Sequence, residues 1–176
     1  MRLFFALWPP PATGRALEDW TEKLRGETGG KPMRAENIHL TLAFLGEAEP
    51  GKAIAAAKHV RGTSHALPIE QARHWKHNDI VWVGPRSVPA ALEDLVKQLH
   101  QALAEQSFVL EKRPFAAHVT LLRKARAPKS LPPLPPVEWP VNEFLLVRSH
   151  TVREGSTYEP VERFPLDILK SRQFLA

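Results

Sequence analysis

The runs Asn37-Ile38-His39-Leu40-Thr41-Leu42-Ala43-Phe44-Leu45 and His118-Val119-Thr120-Leu121-Leu122 decide the fold. Each contains His-x-Thr-Leu, and the copies lie 79 residues apart in a chain of 176 with only eight histidines. Shuffling this composition would seldom place two copies of the pattern. Both runs are strand-like, and side chains of a strand alternate between its two faces. His and Thr of each copy therefore share a face, about 7 Å apart along the strand. Ile38, Leu40, Leu42 and Phe44 are expected on the opposite, core-facing side of the first run, and Val119 and Leu121 on that of the second.

Working outward, Arg2–Trp8 reads as a strand and Ala12–Arg25 as a helix, with Leu17, Trp20 and Leu24 at helical spacing between a proline stop and Gly29-Gly30. Ala53–Arg61 reads as a second helix. Pro68–Trp75 and Ile80–Val83 read as a strand pair joined across His77-Asn78-Asp79. Val88–Gln106 carries the clearest helical stripe, Leu92, Leu95, Val96, Leu99 and Leu103. Six prolines between Pro128 and Pro140 forbid a helix or central strand there, so an extended surface connection is expected. Strands return at Val141–Ser149 and near Tyr158–Phe164. The order implies one α+β unit over residues 1–176, built as two related halves that each contribute a His-Thr strand about a pseudo-twofold.

Composition narrows the chemistry. The chain has no cysteine, which excludes disulfides and thiolate metal sites. The apolar run Leu3–Trp8 ends at three prolines, too short for a signal-peptide core or a membrane span, so a cytoplasmic protein without membrane attachment is expected. A net charge of +5 without a block of like charges suits a small anionic ligand or a nucleic-acid end better than a long duplex.

If the two strands face each other, the two imidazoles and two hydroxyls they bring together suit phosphodiester cleavage. That reaction needs a base for the attacking oxygen and an acid for the leaving one, and histidine serves both near neutral pH. Thr41 and Thr120 can donate hydrogen bonds to non-bridging phosphate oxygens, where transition-state charge accumulates. Neither strand holds a second ligand at metal spacing, so no metal is expected. His74 and His77 lie in a turn-like stretch and are not read as a ligand pair. His59, His65, His100 and His150 read as surface or packing histidines.

With these residues in view, the chain resembles the two-histidine phosphoesterases, and most closely the RNA 2′,3′-cyclic phosphodiesterases also called 2′–5′ RNA ligases. The resemblance rests on Arg2-Leu3-Phe4-Phe5-Ala6-Leu7, on Glu36 to Gly46, on Arg113-Pro114-Phe115 leading to His118–Arg123, and on Gly155-Ser156-Thr157-Tyr158-Glu159. It implies a bilobal α+β fold in which two antiparallel sheets flank a central cleft, with helices outside. It also implies cofactor-free hydrolysis of a ribose 2′,3′-cyclic phosphate, on RNA ends or nucleotides, to the 2′-phosphate.

By the same resemblance His39 is the proton donor to the departing 3′ oxygen, His118 the base that activates water, and Thr41 and Thr120 the phosphate holders. The arginine five residues after the second histidine, Arg123, is expected at the phosphate or against a base. Phe4 and Tyr158 are candidate base contacts, and a monomer is expected. Where such relatives commonly carry proline before the second histidine, this chain has Ala117, which loosens the approach to the strand. Ligation into a 2′–5′ linkage would be a side activity. The competing reading is a non-catalytic RNA- or nucleotide-binding module that uses the same basic cleft.

Overall fold

Residues 1–168 are described by the computed structural model; the last eight positions of the expected 1–176 unit lie outside the described residues. In chain order the elements are β1 (Arg2–Leu7), α1 (Pro11–Thr28), β2 (Lys31–Pro32), β3 (Leu40–Glu47), α2 (Pro50–Ala57), β4 (His65–Ala66) and β5 (Gln71–Trp75). They continue with β6 (Ile80–Gly84), α3 (Ala90–Glu105), β7 (Val119–Arg123), β8 (Pro140–Val141), β9 (Glu143–Val152) and β10 (Gly155–Pro165). One four-stranded sheet has the order β10-β9-β1-β3, a second has β2-β7-β6-β5, and β4 pairs with β8. All these pairings are antiparallel, giving an α+β fold.

The helices form where the periodicity requires. Pro11 opens α1, its missing N–H falling where no helical partner exists, and Gly29 ends it at a φ of 63°. Leu17, Trp20 and Leu24 are buried from α1, and Leu92, Leu95, Val96, Leu99 and Leu103 from α3. Burying each such side chain contributes roughly 1.5–3 kcal/mol. These residues join Leu3, Phe5 and Leu7 of the first sheet and Val81, Val83, Val119 and Leu121 of the second in one continuous apolar core. The second helix starts three residues earlier than the sequence suggests, at Pro50, which serves as its first-turn proline.

A strand–helix–strand pattern occurs twice. β1, α1 and β3 form the first copy, and β6, α3 and β7 the second; in each, the outer strands pair antiparallel. Leu42 is an extra residue between the pairs Ala6–Thr41 and Phe5–Ala43. Leu121 is likewise extra between Trp82–Thr120 and Val81–Leu122. One unpaired residue advances the alternation by one and turns the following side chains to the other face. This corrects one expectation: Phe44 leaves the core face and is 45% exposed, on the side of His39 and Thr41.

The proline-rich stretch forms no strand until Pro140 and is tied down along its length. The Trp20 indole N–H donates to the carbonyls of Pro132 and Pro133, and Leu131 and Leu134 pack on the core. The small β4–β8 pair closes its end, a contact invisible to periodicity because each strand has two residues.

Candidate active site

Both histidines stand one residue before their strands. Asn37 belongs to a 3-10 turn, Ala35–Asn37, so β3 starts at Leu40, and β7 starts at Val119. This entrance position gives the two rings the same local anchor. His39 Nδ1 lies 2.7 Å from the Asn37 carbonyl and His118 Nδ1 lies 2.9 Å from the Ala116 carbonyl. A carbonyl only accepts, so each Nδ1 carries the hydrogen and donates, and in the neutral ring each Nε2 keeps its lone pair.

Aromatic rings hold each imidazole. Trp8 stacks on His39 with centroids 4.7 Å apart and planes inclined by 15°. Phe4 lies at 5.1 Å, and Tyr158 meets the same ring edge-on at 5.2 Å. His118 has Trp75 at 4.7 Å and the edge of Trp82 at 6.3 Å. The Trp8 indole N–H donates to the Glu36 carbonyl, 2.9 Å away, which fixes the ring that covers His39.

The electrostatics bring the two motifs into one site. Burial pushes the His39 imidazole down to about 4; its backbone bond opposes this, and the charges of Arg123 and His118 reinforce it. Burial also holds His118 below its ordinary value, with Arg123 and Arg113 acting in the same direction. Arg123 thus acts on both rings. The bulge at Leu121 explains its placement: strict alternation would group Arg123 with Val119, whereas the extra residue returns it to the face of Thr120. Among the described residues, Arg123 forms no ion pair, and the Thr41 and Thr120 hydroxyls have no protein hydrogen-bond partner.

Between the sheets, a cavity of about 350 Å³ has Thr41 and Phe44 on one wall and Trp75, His77, Arg113 and His118 on the other. Arg113 and Glu111 both line it and are paired at 3.1 Å. Among the described residues no three His, Cys, Asp or Glu side chains gather closely enough to share an ion. No described helix is long and apolar enough to cross a membrane.

A model of LigT-like phosphoesterases matches this chain twice, over residues 7–82 and 83–158, each match containing one His-Thr motif. The chain belongs to that family. Among its relatives, the RNA 2′,3′-cyclic phosphodiesterase of Escherichia coli K12 is 36% identical over 170 residues, covering 94% of this chain and 96% of that protein. The RNA 2′,3′-cyclic phosphodiesterase of Thermus thermophilus is 33% identical over 186 residues, with 94% and 90% covered. Escherichia coli LigT in apo form superposes with a TM-score of 0.87 at 34% identity, over 94% of this chain and 97% of that one. The same LigT complexed with 3′-AMP gives the same TM-score, identity and coverage.

Within this LigT-like phosphoesterase the residues singled out by sequence divide into two groups. Thr41 and His118 line the cavity between the sheets, the charge of Arg123 reaches both His39 and His118, and Thr120 shares the face of Arg123. Phe4 shares the face of His39, but its ring is 3% exposed and packs on that imidazole; the aromatic surface open to a ligand there is Phe44. Tyr158 is half-buried against Phe4, Trp8 and His39. Sequence reasoning missed Trp8 and Trp75. Extending the Arg2, Phe4, Ala6 alternation by one step reaches Trp8, so that signal was present. Trp75 reaches His118 only through the pairing of β5, β6 and β7, which no local pattern encodes.

Four of the remaining histidines have hydrogen-bond partners, and His77 packs on Trp75 with centroids 5.6 Å apart. His74 Nε2 lies 3.0 Å from the Ala125 carbonyl, His100 Nε2 lies 2.8 Å from that of Leu42, and His65 Nδ1 lies 2.9 Å from that of Thr63. His150 bonds to Glu159. The loose approach expected from Ala117 is tightened by Gly84, where a Cβ would come within 2.5 Å of the Ala117 carbonyl.

Proposed function

We propose that this protein hydrolyses the 2′,3′-cyclic phosphate of RNA ends or nucleotides to a 2′-phosphate, using His39 and His118 as an acid–base pair. The observation that carries the reading is the matched anchoring of the two rings: each Nδ1 is tied to the carbonyl two residues upstream, leaving Nε2 for a ligand beside the shared cation Arg123. The named activity of the Escherichia coli and Thermus relatives and the 3′-AMP bound to LigT support the same substrate class.

In the proposed reaction His118 Nε2 takes a proton from water as the water oxygen bonds to phosphorus. The bond from phosphorus to the ribose 3′ oxygen breaks, and His39 Nε2 delivers a proton to that oxygen. The 2′ oxygen keeps the phosphate, and proton exchange with solvent resets both rings. Thr41 and Thr120 donate to the non-bridging oxygens, where negative charge grows. Arg123 neutralises the phosphate. Phe4, Trp8 and Tyr158 fix the plane of the acid, and Trp75 fixes that of the base. No cofactor enters this scheme.

The electrostatics of the site suit a proton that arrives with substrate. In the free protein His39 is depressed to about 4, so at pH 7 it is neutral. A bound phosphate anion offsets the desolvation and the repulsion from Arg123, returning the imidazolium to a working range. The test is turnover of a nucleoside 2′,3′-cyclic phosphate by the native protein, His39→Ala and His118→Ala. Each variant is expected to lose activity while keeping the native circular dichroism spectrum. Undiminished activity in either refutes the scheme, and ligand binding without product in the native protein leaves a nucleotide-binding module.

A further inference from the structure

A second cavity, of about 490 Å³, opens beside the cage of His39. It lies between the Trp8-Pro9-Pro10 turn and the segment from Trp139 to Glu143, with Leu145, Tyr158 and Pro160 of β9 and β10 forming its floor and edge. Trp8 and Tyr158 belong to both places: they line the cavity and also pack on the His39 ring, at 4.7 and 5.2 Å. The cavity is thus about one ring's width from the imidazole assigned to the leaving oxygen.

We infer that this cavity is the subsite for the nucleobase one step upstream of the cyclic phosphate in an RNA chain. The inference rests on the RNA reading above. If the 3′ oxygen departs toward His39, the terminal ribose lies on the His39 side of the phosphorus, and the chain leaving its 5′ carbon next meets the rings that cage His39. Those rings continue into the cavity.

Its lining selects the base over the backbone. Its accessible walls include the flat rings of Trp8, Tyr158, Pro10, Pro140 and Pro160, and aromatic faces of this kind stack nucleobases without sequence preference. The volume falls within the range of about 300–1,000 Å³ that holds small ligands. Among the described residues the lining holds one Arg or Lys, Arg163, and it is paired with Glu143 rather than open to a phosphate. Glu36 at the rim adds a further negative charge and an acceptor for base N–H groups, while its own carbonyl holds Trp8. A chain with a net charge of +5 thus presents an uncharged to acidic pocket beside a cationic phosphate site, which suits a heterocycle followed by a phosphate.

The test compares kcat/KM for uridine 2′,3′-cyclic phosphate, for a dinucleotide ending in the same group, and for that dinucleotide with an abasic upstream position. Each is measured with the native protein, Pro160→Trp and Asn142→Trp. Both substituted residues are exposed at the cavity and outside the reaction scheme, and an indole there fills the space. The native protein is expected to favour the dinucleotide by about tenfold, as one stacked base allows. The abasic position, or either tryptophan, should remove that preference while kcat/KM for the mononucleotide stays level. A dinucleotide no better than the mononucleotide overturns the inference, as does a preference that survives the abasic position or both fillings. Failure to turn over the mononucleotide and the dinucleotide alike would instead refute the hydrolase reading on which the inference rests.

Discussion

Binding of the 2′-phosphate product should raise the pKa of His39 by about three units. In the free protein burial, Arg123 and His118 hold it down to about 4. A phosphate oxygen about 4 Å from the ring, at the effective dielectric of a partly buried site, contributes about 4 kcal/mol to the charged form. At 1.36 kcal/mol per unit that is about three units, which brings the bound imidazole close to 7, where a general acid works best at neutral pH.

The assay is a histidine-resolved NMR titration of the free protein and of the protein saturated with nucleoside 2′-phosphate, with His39→Gln assigning the resonance. The kinetic counterpart is a kcat/KM profile, which reports the free protein, whose alkaline limb falls at a lower pH than that of kcat, which reports the complex. Arg123→Gln should raise both histidines in the free protein, because its charge depresses each. A free His39 that titrates at 6.5 or above, or a pKa unmoved by product, would refute the reasoning.

Thr41→Val and Thr120→Val keep shape but remove a donor each, and each should lower kcat by about 10²–10³ with little change in thermal stability. Gly84→Ala places a Cβ within 2.5 Å of the Ala117 carbonyl, so the entry to β7 must shift; a loss of about 1–3 kcal/mol by urea unfolding is expected, together with a lower kcat through displaced His118. Acid should destabilise the fold through His39. Its folded pKa of about 4 lies below the unfolded value of 6.5, so the unfolded chain binds more protons, and stability present above pH 6.5 is lost as pH falls toward 4. The loss is at most about 3 kcal/mol, and His39→Phe should flatten that part of the urea midpoint against pH.

Much of this architecture is legible locally. The apolar stripes of α1 and α3 and the alternation in β1 have a period that one element sets by itself, and the doubled His-x-Thr-Leu marks the two strands that carry the site. What alternation misplaces, it misplaces for one reason. A bulge inserts a residue, and Leu42 and Leu121 look in sequence like ordinary members of an alternating run. Alternation therefore puts Phe44 in the core and hides the return of Arg123 to the Thr120 face. It also starts β3 too early because Asn37-Ile38 is apolar-patterned, although Asn37 closes a 3-10 turn whose carbonyl is needed by His39. The tryptophans on the histidines divide in the same way: Trp8 follows from extending one strand's alternation, whereas Trp75 depends on three strands coming together.

The central claim is an acid–base hydrolysis by two anchored histidines, and its most direct test follows phosphorus. A nucleoside 2′,3′-cyclic phosphate is incubated in excess chelator with the native protein and with His118→Ala, and the products are read by phosphorus NMR. A 2′-phosphate resonance is expected from the native protein alone. A 3′-phosphate product, an unchanged substrate, or equal turnover by the variant would contradict it.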